Sequence, residues 1–320
     1  MEDLLTDAFR AFSAGLGQDP LRVQGPGGNT SIKKGGVMWI KASGTELADA
    51  VGKPIFVAVD RDAAKAEAGG SGDGSCKATI LDPAVSLRPS IETTFHAALD
   101  WAIVAHTHSI ATLTHAVSPQ GRLVLDQKLL GLPFVRVPYA KPGLPLTREI
   151  LARITPETQI VVLQNHGLII CGNTVEETAT LMDKVEGLLE LAPLKSPGDL
   201  SITAPPKGRS WAAESWMVHD PRAACLATTG SYYPDHVVFL GPALPKRDPD
   251  EMRPAVVIEG EGIALKIDAT SSQRAMLRCL ADLLSRLPEN WQPEAIGTGA
   301  EAELLDWDAE KYRQALAAQA

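Results

Sequence analysis

A basic block is the first thing this 320-residue chain lacks. Its 30 Lys and Arg are outnumbered by 39 Asp and Glu, for a formal net charge of −9. No segment gathers the basic residues into a nucleic-acid surface, although a local pocket for one phosphate stays open. The expected partner is a small molecule. No apolar stretch approaches the ~20 residues that a membrane-spanning helix needs, so no membrane partner is expected. Cysteine is scarce: Cys76, Cys171, Cys225 and Cys279 lie far apart with no C-x-x-C pair, which argues against a disulfide scaffold and suits a reduced interior. All four read as inert small hydrophobes. The start, MEDLLTDAFRAFSAG, has neither the basic n-region nor the apolar h-region of a signal peptide, and the expected location is cytoplasmic. A GK[ST] phosphate loop, a Tyr-x-x-x-Lys pair and a glycine fingerprint after a strand are all missing, and GTGAEA at 297–302 lacks βαβ length. No nicotinamide cofactor is therefore expected. No internal repeat occurs at solenoid periods.

With 45% hydrophobic residues the chain can bury a large core, and two unequal domains are expected. A first helix at about 3–16 precedes GPGGNTSIKKGG, then the strand-like VMWIKASG and PIFVAVD. The stretch 62–88, with AGGSGDGSCK, reads as a surface loop. A helix follows from about Ser90 to Leu99, then the strand WAIVAHTHS and a helix near 109–117. LPFVRVPY is strand-like, TREILARI a short helix with Thr147 as N-cap, QIVVLQNHGLIICG two strands about a turn, and TVEETATLMDKVEGLLELA a long amphipathic helix. Interleaved strands and helices to Ala192 describe a layered α/β domain, assigned to residues 1–195. A Pro/Gly/Ser-rich linker at about 193–206 leads to a smaller α/β domain at 207–320. That domain contains the strand-like HVVFLG and AVVIEGEGIALKI, the helix SSQRAMLRCLADLLSRL and a charged final helix.

Four residues carry the chemistry: Glu92 in PSIETTFH, His106 and His108 in VAHTHS, and His166 in QNHGL. Three imidazoles and a carboxylate describe a divalent metal site, suited to Zn, Fe, Co or Ni rather than Mg or Ca. Residues two apart in a strand share a face, so His106 and His108 form a clamp on one rigid element. Glu92, in the first turn of its helix, is either a general base or a fourth ligand. His96, four residues on, shares its helix face and is a supporting candidate. His115, His219 and His236 lack matching partners. GPGGNTS is either an anion nest, with Asn29, Thr30 and Ser31 as added donors, or an ordinary turn. Ser43-Gly44-Thr45 is a second possible donor group.

In this order GGNTS, ASGTEL, PSIETTFH, AHTHS, VPYAKPG and QNHGL resemble the class II aldolase/adducin family, over about residues 5–195. The resemblance implies an α/β/α layered domain and zinc, or another divalent transition metal, on His106, His108 and His166, with Glu92 as the motif carboxylate. It also implies phosphate binding by Asn29, Ser43, Gly44 and Ser90, and a proton-donating Tyr139 that reaches the site of a neighbouring subunit in a homotetramer. The activity implied is cleavage of a ketose 1-phosphate to dihydroxyacetone phosphate and an aldehyde through an enediolate. A decarboxylase or epimerase of a sugar phosphate, or a non-catalytic adducin-like module, are alternatives on the same scaffold. PDHVVFLG and LLDWDAEKYRQAL resemble the aldolase half of bifunctional rhamnulose-1-phosphate aldolase/alcohol dehydrogenases. Whether the C-terminal unit seals the site, mediates assembly or is a remnant contact stays open.

Overall fold

The structure, a computed structural model, describes residues 4–194, 203–248 and 252–318. The centre of the expected linker, 195–202, lies outside the described residues. In chain order the helices are α1 (Asp7–Gln18), α2 (Arg61–Ala66), α3 (Thr93–Ala98), α4 (Ile110–Ala116), α5 (Pro119–Lys128), α6 (Leu144–Leu151), α7 (Val175–Leu189), α8 (Trp216–His219), α9 (Pro221–Thr229), α10 (Pro234–Leu240), α11 (Ser271–Arg286), α12 (Thr298–Leu305) and α13 (Asp308–Ala317). The strands are β1 (Asn29–Lys34), β2 (Val37–Lys41), β3 (Phe56–Asp60), β4 (Ile103–Thr107), β5 (Phe134–Val137), β6 (Ile160–Leu163), β7 (Gly167–Gly172), β8 (Arg209–Trp211), β9 (Ala255–Ile258) and β10 (Gly262–Lys266).

Strands β1 to β7 form one sheet in the order β3-β2-β1-β4-β7-β6-β5, antiparallel except for the β5–β6 pair. Period-2 alternation sends successive residues to opposite faces. Ile103, Ala105, Ile160, Val162, Leu168 and Ile170 pack with Phe9 of α1 and Met182 and Val185 of α7. Val104, Val161, Ile169 and Cys171 pack on the other face with Phe95 of α3 and Leu146 and Ile150 of α6. This is the α/β/α layering expected. The helices begin where the sequence supplies caps: the Thr6 hydroxyl accepts from Phe9 N–H, Thr174 from Glu177 N–H, and Thr270 and Gln273 make a reciprocal capping box on α11.

The C-terminal unit is a three-stranded sheet, β8-β10-β9, with helices packed on it. Its core is shared with the first unit: Ile110, Leu113 and Val117 of α4 and the residue after it sit in one cluster with Tyr233, Met276, Leu280 and Leu284.

Four local expectations are corrected. HVVFLG lies in helix α10, where Pro234 occupies the first turn and Gly241, at φ 78, ends it. Every residue of that helix is buried, and a wholly apolar run carries no period to tell strand from helix. The stretch 62–88 opens with α2, capped by the Asp60 carboxylate accepting from Ala63 N–H, and continues in a short helical turn. Glu67 Oε2 then accepts from Gly74 and Cys76 N–H and pins the glycine-rich loop that follows. Thr147 lies inside α6, its hydroxyl bonded to Gly143 O and Thr94 Oγ1, and Gly143 is the N-cap. Glu92 sits just before α3 rather than in its first turn, at φ −105 and ψ 9, and its side chain caps nothing. Among the cysteines, Cys76, Cys171 and Cys279 are buried and free, whereas Cys225 is exposed.

Candidate metal centre

The register of β4 with its neighbours assembles the centre. His106 of β4 stands opposite Asn29 of β1 on one side and Ile169 of β7 on the other. His108 follows the strand end, and His166 closes the β6–β7 turn, where Asn165 takes a left-handed φ of 53. The turn can press this close because residue 167 is glycine: a Cβ there would meet Thr107 O at 2.1 Å. Asn165 holds the turn from outside by donating from Nδ2 to Tyr232 O and Glu294 O at 3.1 and 2.7 Å.

His106, His108 and His166 are buried, and each offers a ring nitrogen within 4.8 Å of the others. His106 Nδ1 donates to Leu168 O at 3.0 Å, which leaves Nε2 as an acceptor. That Nε2 has no hydrogen-bond partner and faces Glu92 Oε2 at 3.5 Å, while Glu92 Oε1, equally unpartnered, faces His166 Nε2 at 3.6 Å. Burial pushes the imidazoles of His108 and His166 down to about 3, so both are neutral, the form that binds metal. Buried lone pairs aimed at one point without a donor among them fit a cation, and the N/O set fits zinc or a similar transition metal.

Glu92 is fixed by its neighbours. Asn29 Nδ2 donates to Glu92 Oε2 at 2.8 Å and to Ser90 Oγ at 3.1 Å. Burial disfavours the Glu92 carboxylate, but the His106 and His166 imidazoles and the Asn29 amide outweigh it and hold the group below its ordinary range. His96 binds no metal position. Its Nε2 donates to Asn29 Oδ1 and its Nδ1 accepts from Ser31 Oγ at 2.7 Å. The chain Ser31–His96–Asn29–Glu92 thus sets which end of the Asn29 amide meets the carboxylate. Ser31 and Thr30, read as donors to an anion, are engaged elsewhere: Ser31 with His96 and Thr30 with Ser13 Oγ at 2.8 Å.

Asn29, Ser43, Gly44, Ser90, Glu92, His108 and His166 line one cavity, as the sequence motifs suggest. Lys41 lines it too. Its ammonium donates to Pro26 O and Gly28 O at 2.8 Å each, and burial brings it down to about 7. Two further wall residues come from the C-terminal unit, Asp235 of α10 and Arg313 of α13. Arg313 Nη1 and Nη2 grip Asp235 Oδ1 and Oδ2 at 2.8 and 3.0 Å, and Nη1 also reaches Glu310 Oε2 at 2.8 Å. Asp235 Oδ2 lies 3.5 Å from His108 Nδ1, placed to favour the tautomer that leaves His108 Nε2 as the ligand atom. Leu316, one turn beyond Arg313, covers Gly44, where a Cβ would stand 2.4 Å from Leu316 Cδ1. Tyr312 carries the Arg88 guanidinium 3.8 Å from its ring centroid. The cavity that remains is about 30 Å³, the space of two or three waters.

Sequence reasoning missed Asp235 and Arg313, although both lie in the segments PDHVVFLG and LLDWDAEKYRQAL that it singled out. Tyr139 is not in this cavity. Its hydroxyl is buried without a hydrogen-bond partner among the described residues, and its pKa is raised by burial and by Glu303, Glu301 and Glu310. His115 and His236 are buried apart from the centre, and His219 ends α8.

A seven-stranded mixed sheet layered between helices, with three histidines and a carboxylate at its centre, defines an α/β scaffold that carries a candidate metal centre. The profile of the Class II Aldolase and Adducin N-terminal domain matches residues 18–192, a little over half of the chain. The chain belongs to the class II aldolase/adducin family. It is 26% identical to the N-terminal class II aldolase domain of a conserved protein from Thermoplasma acidophilum, with a TM-score of 0.52, covering 59% of this chain and 93% of that one. Among curated proteins it is 31% identical over 180 residues to the uncharacterized oxidoreductase YuxG of Bacillus subtilis, covering 50% of this chain and 25% of that protein. It is 32% identical over 121 residues to 3-oxo-tetronate 4-phosphate decarboxylase of Escherichia coli, covering 32% and 55% respectively. The chain therefore spans between a quarter and about half of these relatives' lengths. Among the described residues no helix is long and apolar enough to cross a membrane.

Proposed function

We propose that the protein is a metal-dependent carbon–carbon lyase that cleaves a ketose 1-phosphate to dihydroxyacetone phosphate and an aldehyde. The observation that carries this reading is the pairing of an ionised, buried Glu92 with three converging histidines in a cavity that also holds Asn29, Ser43 and Ser90. His106, His108 and His166 would hold the ion, with Glu92 beside it. A divalent ion there would act as a Lewis acid on the substrate carbonyl. When the C3–C4 bond breaks, the C4 hydroxyl proton would pass to the Glu92 carboxylate as the aldehyde carbonyl forms, the electron pair would remain on C3 of the enediolate, and Glu92 would return that proton to C3 to complete dihydroxyacetone phosphate. Asn29 keeps the carboxylate aimed, and burial excludes water that would quench the carbanion.

A second reading, decarboxylation of a keto-acid phosphate, gains from the position of Tyr139. Loss of CO2 needs no acid on an aldehyde oxygen, and in this chain the Tyr139 hydroxyl is enclosed away from the cavity. The homotetramer implied by the resemblance belongs to the lyase reading, in which Tyr139 would serve a neighbouring site. The test is a zinc-reconstituted assay over ketose 1-phosphates and keto-acid phosphates that scores dihydroxyacetone phosphate and CO2. Glu92→Gln is expected to keep metal and lose about 10²–10⁴-fold in turnover, the worth of a positioned base. His106→Ala is expected to lose both metal and turnover. Full activity in either variant ends the proposal, and CO2 without any aldehyde selects the second reading.

A further inference from the structure

We propose that Arg313, supplied by the C-terminal unit, is a specificity-determining residue that receives the terminal oxyanion of the substrate bound at the three-histidine centre.

The corner assigned to phosphate by the sequence motifs is short of free donors. Ser43 N–H already donates to Arg88 O at 2.9 Å, and Ser90 N–H to Lys41 O at 3.2 Å. Both hydrogens of the Asn29 amide are committed to Ser90 Oγ and Glu92 Oε2. What remains is two hydroxyls and the Gly44 N–H, all of them neutral donors. Lys41 lines the same cavity, but its ammonium is spent on the carbonyls of Pro26 and Gly28. An oxyanion desolvated against neutral donors alone would be poorly compensated.

Arg313 answers that shortage. It is buried, it lines the cavity with Asn29, Ser43 and Ser90, and a guanidinium stays charged at every working pH. Its bonds to Asp235 and Glu310 use three of its five N–H groups, which leaves two among the described residues. Asp235 and Glu310 fix the plane of the fork, and a fixed fork is the geometry that recognises carboxylate or phosphate in two-point fashion. The charge balance also suits an anion. With a divalent ion on the three neutral histidines, Glu92, Asp235 and Glu310 do not exceed the positive charge of the ion and Arg313, and burial pushes the Glu310 carboxyl up toward its neutral form. Leu316, on the same face one turn further, closes the corner over Gly44. Selection thus joins a charge at Arg313 to a length limit set by Leu316.

The inference rests on the reading of this cavity as a lyase site for an anionic sugar, but its test uses no reaction. The zinc-reconstituted full-length protein is titrated calorimetrically with inorganic phosphate and, separately, with acetate; whichever gains from Arg313 identifies the oxyanion. Arg313→Gln is expected to weaken that anion about tenfold to a hundredfold, the worth of a charge-assisted hydrogen bond, with zinc content close to wild type and a lowered thermal midpoint, because Asp235 and Glu310 lose their buried partner. Arg313→Lys, which keeps the charge and loses the fork, is read where the glutamine variant does not fold, and is expected to weaken the anion at least fivefold. Affinity within threefold of wild type in a folded, zinc-loaded variant overturns the proposal, because it leaves Arg313 as a staple between α13 and α10. So does failure of the wild type to bind either anion at ~10 mM. Loss of lyase activity with anion binding intact would instead strike the proposed reaction alone.

Discussion

The buried histidines divide into two kinds by what their nitrogens face. At His106 and His166 the Nε2 atoms face Glu92 at 3.5 and 3.6 Å, whereas at His236 both nitrogens are buried without partners and the ring of Tyr233 lies 5.6 Å away. Burial, with Arg253 adding to it, holds His236 down at about 3. A group that protonates at about 6.5 when unfolded and about 3 when folded binds more protons in the unfolded state between those values. Stability from this residue is present above pH 6.5 and is lost as pH falls toward 3, by about 1.4 kcal/mol per unit. His236→Leu is expected to gain about 1–2 kcal/mol at pH 7.5 by removing two unsatisfied atoms from the core. Its margin over wild type should widen at pH 5. Urea unfolding at the two pH values checks this, and a constant margin contradicts it. The sequence could mark His106, His108 and His166 because spacing two apart and a His-Gly turn are visible in one dimension. The shared helix face with Glu92 was enough to read His96 as a supporting residue, but not to show that it serves Asn29, since that depends on which residue of β1 stands across from β4.

Elements read well where a period was present and poorly where it was absent. The β4 alternation and the amphipathic α7 carry their faces in sequence, and the structure has both. α10 is buried all round and looked like a strand; Pro234 at its start and Gly241 at its end were the available signals. The start of α3 was misplaced because Pro89 and Ser90 begin a turn before the helix proper. The tightest element junction is the β6–β7 turn against β4. A methyl at residue 167 would lie 2.1 Å from a backbone oxygen of Thr107, and backbone cannot step aside as a long side chain could. Gly167→Ala is expected to cost about 3 kcal/mol or more through overpacking and to displace His166 from the centre. Chemical denaturation together with metal equivalents per chain checks both halves; a variant of wild-type stability that binds zinc normally would show that the turn can shift without cost.

At the scale of the molecule, helix α4 ties the two sheets together. α4 leaves the His-x-His strand and buries Leu113 and Ile110, with Val117 after it, in the core of the C-terminal unit, while α10 and α13 of that unit return Asp235 and Arg313 to the metal cavity. The expected division at about 193–206 was readable from Pro and Gly, but composition cannot report that a core continues across a linker in space. Each of those three aliphatic side chains contributes about 1.5–3 kcal/mol on burial. Their sum, about 5–9 kcal/mol, is comparable to the whole net stability of an ordinary domain, about 5–15 kcal/mol. Neither unit should therefore keep its structure once the other unfolds. The full chain is expected to unfold in one transition, with far-ultraviolet circular dichroism and tryptophan fluorescence coincident in urea. The fluorescence reports on both units, since Trp39 and Trp101 lie in the first and Trp211, Trp216, Trp291 and Trp307 in the second. Separate midpoints would mean that the shared core couples the units weakly. Zinc should move the single midpoint upward in step with its concentration, because an ion that binds only the native state stabilises everything that unfolds with the site.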